Sequence, residues 1–373
     1  MVIGGGYGGA TVAKALDADT DVILIEPRDA FVQNAVALRA LAQPHWAEHM
    51  FFTYDKLLQR GRVIHERAAH VDPGGVTLAS GERVDADYVV LATGSDYPYP
   101  FKTGTDLTGA ARERLLGTHQ ELAGAGRVLI LGAGPVGLEL SGEIKAVWPD
   151  KQVTIVDPAE RLLPGFEPDL REELHRQLEA LGVELRLGTT LTTQPPTEPG
   201  RAKSFTVEAA GATGAGGSVR AEISADIWFR AYGVRVRSDF LGEALAAART
   251  PAGHVRVTET LNVEGFGQVY AVGDLTDVAE AKMAGNAMQH AEIVAQNILA
   301  HVRGERPAAF YRPSPLPFVL LPLGPSGGVG QLPSPDGPVI LPAQAVVDYK
   351  GADLFTGRFA ALFGVSAAAP AAV

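Results

Sequence analysis

Two glycine-rich segments of the chain have the composition of a turn that holds a dinucleotide. They read Gly4-Gly-Gly-Tyr-Gly-Gly9 and Gly132-Ala-Gly-Pro-Val-Gly137, and each follows an apolar stretch and opens a segment of helical periodicity. In such a turn the glycines let backbone N–H groups approach a pyrophosphate at the N-terminus of the helix. We therefore expect one pyrophosphate at each segment, in contact with Gly4, Gly6 and Gly9 or with Gly132, Gly134 and Gly137.

Each glycine segment is followed by an acidic residue that ends the next apolar stretch. Glu26 ends residues 21–26, and Asp157 ends residues 152–157. A carboxylate at this point accepts hydrogen bonds from the ribose hydroxyls of an adenosine. Either segment alone also suits an ordinary turn between a strand and a helix. The two together predict two nucleotides in one chain, as in a flavoprotein reductase that binds FAD and NADH.

Asp157 also predicts which pyridine nucleotide fits the second segment. Its carboxylate suits the 2′-hydroxyl of NADH and would repel the 2′-phosphate of NADPH. The nearby Arg161 would reduce this repulsion, so we expect NADH and leave NADPH open.

Composition excludes several other classes of site. The chain has 373 residues, 46% of them apolar and 20% charged, which predicts a globular protein of two or three domains. A net charge of −11 disfavours a nucleic-acid partner. The absence of cysteine excludes disulfides, iron–sulfur clusters and thiolate zinc sites, and no metal site is expected. Without a membrane span or signal peptide, we expect a cytoplasmic location, with peripheral membrane contact left open.

The order of predicted elements indicates an α/β fold. Two Rossmann-like dinucleotide-binding domains, one for FAD and one for NADH, are expected, with a small C-terminal α+β domain. The FAD domain is expected to be discontinuous (1–105 and 251–305), the NADH domain to span 106–250 and the C-terminal domain 306–373. Residues 97–109 are expected to be a linker, and the polar residues 190–217 an exposed insertion.

Several further motifs carry a resemblance to a known family. Leu91-Ala-Thr-Gly94 and Val269-Tyr-Ala-Val-Gly-Asp274, together with the two glycine segments, resemble the flavoproteins with two dinucleotide-binding domains. That family includes glutathione reductase, type II NADH:quinone oxidoreductase and the relatives of apoptosis-inducing factor. The finer resemblance is to the ferroptosis-suppressor subgroup, on Phe31-Val-Gln-Asn-Ala-Val-Ala-Leu-Arg39, Gly137-Leu-Glu-Leu-Ser-Gly-Glu-Ile-Lys145, Lys282-Met-Ala-Gly285 and Gly330-Gln331.

The resemblance implies an FAD-dependent NAD(P)H:quinone oxidoreductase that works at or near a membrane. The chain departs from the subgroup at two points. Its Met1-Val2 start lacks the glycine that myristoylation needs. The second Ala-Thr-Gly turn is replaced by Ala231-Tyr-Gly233, where nicotinamide contact near Gly233 is still expected.

The resemblance also assigns cofactor contacts to individual residues. Arg39 is placed near the flavin, and Thr93 and Gly94 at the turn that joins the halves of the FAD domain. Gly273 and Asp274 are expected at the ribityl chain or pyrophosphate. The helix that follows is expected to direct its N-terminus at the N1/C2=O edge of the flavin, close to Met288, Gln289 and His290, where a reduced flavin carries negative charge.

Three residues are candidates for catalysis. Glu139 resembles a glutamate near the nicotinamide, Lys282 would place a cation beside the flavin or the quinone oxygen, and His290 would donate a proton. Each has a structural alternative. Glu139 and Lys282 also suit the first turn of a helix, and a lone histidine often serves only in packing. Arg39, in the same way, suits an exposed helix surface.

Two questions stay open on the sequence alone. Phe355, Phe359, Leu362 and Phe363 fall on one helical face, which suits a membrane or quinone channel or else docking onto the protein body or a dimer partner. The electron acceptor is expected to be a quinone. One alternative is that the acceptor is a ferredoxin or a rubredoxin. The other is that the chain is an FAD protein in which NADH binding switches an interaction with a partner.

Overall fold

The computed structural model describes residues 1–193, 196, 198–210 and 218–365. The helices are α1 (Tyr7–Leu16), α2 (Asn34–Ala42), α3 (Thr108–Gly124), α4 (Pro135–Val147), α5 (Pro168–Ala180), α6 (Glu243–Ala246), α7 (Ala284–Val302), α8 (Ala343–Val346) and α9 (Thr356–Leu362). The strands are β1 (Val2–Ile3), β2 (Ile23–Ile25), β3 (Ala30–Val32), β4 (Phe51–Thr53), β5 (Arg62–Ile64), β6 (Ala68–Asp72), β7 (Gly75–Leu78), β8 (Arg83–Asp85), β9 (Val89–Leu91), β10 (Ser95–Asp96), β11 (Arg127–Leu131), β12 (Gln152–Val156), β13 (Val183–Arg186), β14 (Thr189–Leu191), β15 (Gly200–Ala210), β16 (Ser218–Arg230), β17 (Arg235–Val236), β18 (Val269–Ala271), β19 (Val319–Pro322), β20 (Gly328–Ser334) and β21 (Gly337–Leu341).

The first unit is built on a five-stranded parallel sheet in the order β18-β9-β1-β2-β5. Strands β1, β9 and β18 are short and buried on both faces, as a parallel sheet covered by helices requires. Helices α1 and α7 pack against each other beside this sheet. Because β18 lies far along the chain, the first unit is closed by a segment that follows the second unit.

The second unit repeats this design around a six-stranded sheet in the order β13-β12-β11-β16-β15-β14. Strands β13, β12, β11 and β16 are parallel, while β14 and β15 add antiparallel edges. One parallel sheet and one mixed sheet with four parallel strands confirm the α/β fold with two Rossmann-like units. Helix α3 begins at Thr108, at the end of the expected linker.

Residues 190–217 correct the expectation of an exposed insertion. Much of the described part belongs to β15, which pairs along its length with β16. Phe205 and Val207 alternate towards the core and meet Ile223 and Ala225 from the neighbouring strand. The flanking proline, glycine and threonine residues hide this alternation in the sequence. Residues 211–217 lie outside the described part.

The C-terminal unit consists of the antiparallel sheet β19-β20-β21 and the short helices α8 and α9. Helix α9 packs on the first unit, where Phe359 and Phe363 are 3% and 0% exposed. Phe363 lies 4.9 Å from the ring of Phe31 and 5.8 Å from that of Phe52. These two aromatic rings are therefore packed against the protein body and do not form an exposed membrane face. Among the described residues, every helix is too short or too polar to cross a bilayer.

Candidate functional site

The two glycine loops have the same backbone geometry. Gly4 and Gly132 end their strands at φ +102° and +110°, in the region that favours glycine. A Cβ on Gly9 would lie 1.8 Å from the carbonyl oxygen of Gly4, and a Cβ on Gly137 would lie 2.1 Å from that of Gly132. These glycines therefore allow each helix to start directly against the preceding strand.

The middle glycine of each loop faces open space. A Cβ on Gly6 or on Gly134 would meet no described atom within 4 Å. Gly6 and Gly134 are the N-caps of α1 and α4, and neither has a side-chain cap. The first-turn N–H groups of both helices thus lie beside free volume, which fits a pyrophosphate that approaches the helix N-terminus.

The acids after the second strand of each unit hold their glycine loops in the same way. One carboxylate oxygen of Glu26 accepts from Gly5 N–H at 2.6 Å, and the other from Arg28 N–H at 3.0 Å. Asp157 accepts from Ala133 N–H at 2.6 Å and from Ala159 N–H at 2.8 Å. Both carboxylates are therefore fixed against the backbone of their glycine loops, and their contact with ribose hydroxyls stays a prediction.

Asp274 follows the end of β18 and is held from the first unit. Ser95 Oγ donates to Asp274 Oδ2 at 2.5 Å, and Lys102 Nζ lies 3.1 Å from the same Ser95 Oγ. Burial lowers the pKa of Lys102, and the negative charge of Asp274 opposes that shift. Sequence reasoning missed Lys102 because it lies in the proline-rich stretch that was interpreted as a linker.

Thr93 and Gly94 lie at a joint between the first two units. Thr93 Oγ1 donates to the carbonyl of Arg237 at 2.7 Å, and Arg237 N–H donates to that of Gly94 at 3.2 Å. Tyr97 OH also donates to the carbonyl of Ala231, at 2.6 Å. Gly233 follows in the left-handed region, at φ +99°.

Two acids of α4, one helical turn apart, pair with bases from the other two units. Lys350 Nζ donates to Glu139 Oε1 at 2.7 Å and to the carbonyl of Leu320 at 3.0 Å. Glu143 binds Arg39, with Arg39 Nε 3.0 Å from both carboxylate oxygens and a terminal nitrogen 2.8 Å from Oε1. The pairing of Lys350 with Glu139 could not be predicted from the sequence, because the two residues lie far apart along the chain.

Arg39 is buried, which corrects the alternative of an exposed helix surface. Its side chain is 1% exposed and lies 4.7 Å from the ring of Trp46. Burial raises the pKa of Glu143, although the charge of Arg39 acts in the opposite direction. The guanidinium therefore joins the first unit to the second, and its expected place near the flavin stays a prediction.

Lys282 and His290 both form hydrogen bonds to the backbone between the end of β18 and α7. Lys282 Nζ donates to the carbonyls of Thr276 and Val278 at 2.9 and 2.8 Å. His290 is 0% exposed and accepts from Gly273 N–H at 3.1 Å. A fully buried imidazole has no face for a flavin, which corrects the expectation of a proton donor there. Gln289, beside it on α7, is exposed.

The structure thus gathers many of the expected residues into four groups. The glycine loop of the first unit lies with Glu26 and that of the second with Asp157, while Asp274 lies with Ser95 and Lys102. Glu139, Arg39 and Lys350 form a separate charged junction on α4.

Comparison with known proteins identifies the family of the chain. Residues 1–292 match the family described as pyridine nucleotide-disulphide oxidoreductase. The chain is 30% identical over 346 residues to ferroptosis suppressor protein 1 of Taeniopygia guttata, covering 89% of this chain and 88% of that protein.

Solved structures share the fold. The sulfide:quinone oxidoreductase of Aquifex aeolicus superposes with a TM-score of 0.76 at 19% identity, covering 98% of this chain and 91% of that one. NDH2 of Plasmodium falciparum, solved with NADH, gives 0.71 at 14% identity, with 96% of both chains covered. The chain belongs to the pyridine nucleotide-disulphide oxidoreductase family, as an FAD-dependent oxidoreductase that takes electrons from NAD(P)H.

Proposed function

We propose that this chain is an FAD-dependent NADH:quinone oxidoreductase. The observation that carries the proposal is the lack of cysteine in a family named for disulfide chemistry. Without a dithiol, the protein has no disulfide of its own through which electrons could leave, so the acceptor must meet the flavin directly. The similarity to ferroptosis suppressor protein 1 over most of both chains and the fold shared with a sulfide:quinone oxidoreductase support a quinone as that acceptor.

The first unit holds FAD in this proposal. Gly4, Gly6 and Gly9 place the amides of the first loop and of α1 against the pyrophosphate, and Glu26 accepts from the adenosine ribose. Asp274, oriented by Ser95, supplies an acceptor at the end of β18. Bound FAD would accept a hydride equivalent and pass two electrons on.

The second unit holds NADH. The loop from Gly132 to Gly137 receives the pyrophosphate, and Asp157 reads the ribose. Glu139 lies in the first turns of α4, and the 2.7 Å ion pair with Lys350 holds its carboxylate in place. We propose that Glu139 orients the nicotinamide. Lys282 supports the chain between Asp274 and α7 through its two carbonyl contacts.

Replacing Asp157 tests the choice of nucleotide. We expect Asp157→Ser combined with Pro158→Arg to shift the ratio of kcat/KM for NADH and NADPH towards NADPH by about tenfold or more, which equals about 1.4 kcal/mol. The reason is that a carboxylate facing the 2′-phosphate is replaced by a cation. Glu160→Gln is the matched control, because Glu160 is a neighbouring exposed acid. An unchanged ratio would show that Asp157 does not contact the ribose.

The acceptor is tested by steady-state oxidation of NADH with soluble analogues of ubiquinone and menaquinone. We expect fast turnover with at least one quinone and slow turnover with ferredoxin or rubredoxin. Activity that requires an iron–sulfur protein would contradict the proposal. Most such acceptors are acidic, and the net charge of −11 on this chain disfavours an acidic partner. Reduction of the flavin by NADH without fast reoxidation by any acceptor would instead favour an interaction module.

A further inference from the structure

Three buried polar side chains form a continuous line that ends at the turn before Asp274. Tyr311 OH donates to Glu280 Oε2 at 2.5 Å, and Glu280 Oε1 lies 2.9 Å from His290 Nε2. His290 Nδ1 in turn accepts from Gly273 N–H at 3.1 Å. The rings of His290 and Tyr311 meet edge to face at 4.2 Å. The line therefore runs from the segment after α7, through α7, to the end of β18.

The contact with Gly273 fixes the tautomer of the neutral imidazole. Because Nδ1 accepts a hydrogen bond, the neutral ring carries its proton on Nε2, which faces Glu280. Burial acts to raise the pKa of Glu280, but the neighbouring imidazole of His290 and the hydrogen bond from Tyr311 hold it below its usual value. The 2.9 Å approach of His290 Nε2 to Glu280 Oε1 is a close polar contact without hydrogen-bond geometry.

His290 determines how the chain leaves β18. The ladder of β18 continues to Val272, whose N–H donates to the carbonyl of Leu91 at 3.0 Å. The next N–H, that of Gly273, turns to His290 instead, and Gly273 adopts φ +68°. Without an acceptor at Nδ1 this buried N–H would lack a partner, which destabilises the turn.

We propose that Tyr311, Glu280 and His290 act as positioning residues that set the Gly273–Asp274 turn for FAD. None of the three needs to touch the cofactor; they act through Asp274, which follows the fixed peptide. The inference rests on the proposed contact between Asp274 and FAD. A buried carboxylate is energetically less favourable than apolar packing. The three side chains would therefore contribute little stability if their only role were to fill the core.

Two substitutions of His290 separate positioning from packing. Asparagine places an oxygen near the Nδ1 position and keeps an acceptor for Gly273 N–H. Glutamine reaches towards Glu280 and removes that acceptor. We expect His290→Gln to raise the rate of FAD release from the diluted holoprotein by about 10- to 100-fold, against about threefold or less for His290→Asn. Each variant keeps one contact of the imidazole and loses the other, so we expect both to lose similar unfolding free energy in urea.

A double-mutant cycle tests whether His290 acts through Asp274. In an Asp274→Ala background we expect His290→Gln to change the rate of FAD release by about threefold or less. The reason is that both substitutions act through the same contact, that of Asp274 with FAD. Equal losses of FAD in the asparagine and glutamine variants, in proportion to their unfolding free energies, would overturn the inference. So would full additivity in the cycle. If Asp274→Ala alone leaves FAD release unchanged, the proposed contact of Asp274 with FAD fails instead, whatever the acceptor of the electrons is.

Discussion

Alanine at Gly6 is expected to weaken FAD binding by at least about 100-fold, or about 2.7 kcal/mol. The folded chain has room for this Cβ, which meets no described atom within 4 Å. The same methyl would occupy the space where a pyrophosphate approaches the N-terminus of α1. The measurement is bound flavin per protein and the dissociation constant for FAD, together with the unfolding free energy of the FAD-free protein, which should be nearly unchanged.

The second glycine loop supplies a mirror experiment. Gly134→Ala is expected to keep FAD and to lose reduction of the flavin by NADH, because a Cβ on Gly134 also meets only open space. Gly117→Ala, on the exposed side of α3, is the matched control and should keep both properties. Gly9→Ala should instead destabilise the fold, since its Cβ would lie 1.8 Å from a backbone oxygen. Unaltered FAD affinity in Gly6→Ala would rule out the first glycine loop as the site of the FAD pyrophosphate.

Replacing Arg39 with methionine is expected to lower the unfolding free energy by about 3–5 kcal/mol. Methionine removes the bidentate partner of Glu143, whose side chain is 4% exposed, and leaves a buried carboxylate that must be desolvated alone or take up a proton. The contact with Trp46 is weakened as well. Urea unfolding monitored by tryptophan fluorescence measures the loss.

The double variant Arg39→Met with Glu143→Leu provides the control. With both charges gone, the buried site becomes apolar, and we expect most of the lost stability to return. Arg39→Lys should fall between the wild type and Arg39→Met, because an ammonium cannot bind both carboxylate oxygens in the same plane. A double variant as unstable as Arg39→Met would show that packing around Arg39, rather than the unpaired carboxylate, sets the cost.

The charged junction on α4 joins all three units of the protein. Glu139 is bound by Lys350 from the C-terminal unit, and Glu143 by Arg39 from the first unit. Helix α4 lies close to the C-terminal unit here, since a Cβ on Gly142 would stand 2.5 Å from Leu323 Cα. The helix that begins at the second glycine loop is thus held in orientation relative to the first loop. Hydride transfer needs such alignment of two nucleotides.

Local features of this chain could be predicted from sequence because their cause is local. Gly4 and Gly132 adopt a backbone that favours glycine, and Glu26 and Asp157 sit one strand further on, within hydrogen-bond reach of the loop. Helix α1 begins at Tyr7, directly after the first glycine segment, because the glycine turn determines where it begins. The α/β class followed from the repeated order of such units.

Partners of charged and aromatic side chains depended on the tertiary structure. Arg39, Lys102 and Lys350 look like ordinary surface bases in the sequence, and burial beside acids from other segments decides their roles. His290 contacts residues from the segments on either side of α7. Phe359 and Phe363 pack against a surface formed by the first unit. The sequence by itself determined the turns, because glycine conformation is a property of a few adjacent residues. The tertiary structure decided which distant charges meet, because only packing brings those residues together and removes water from between them.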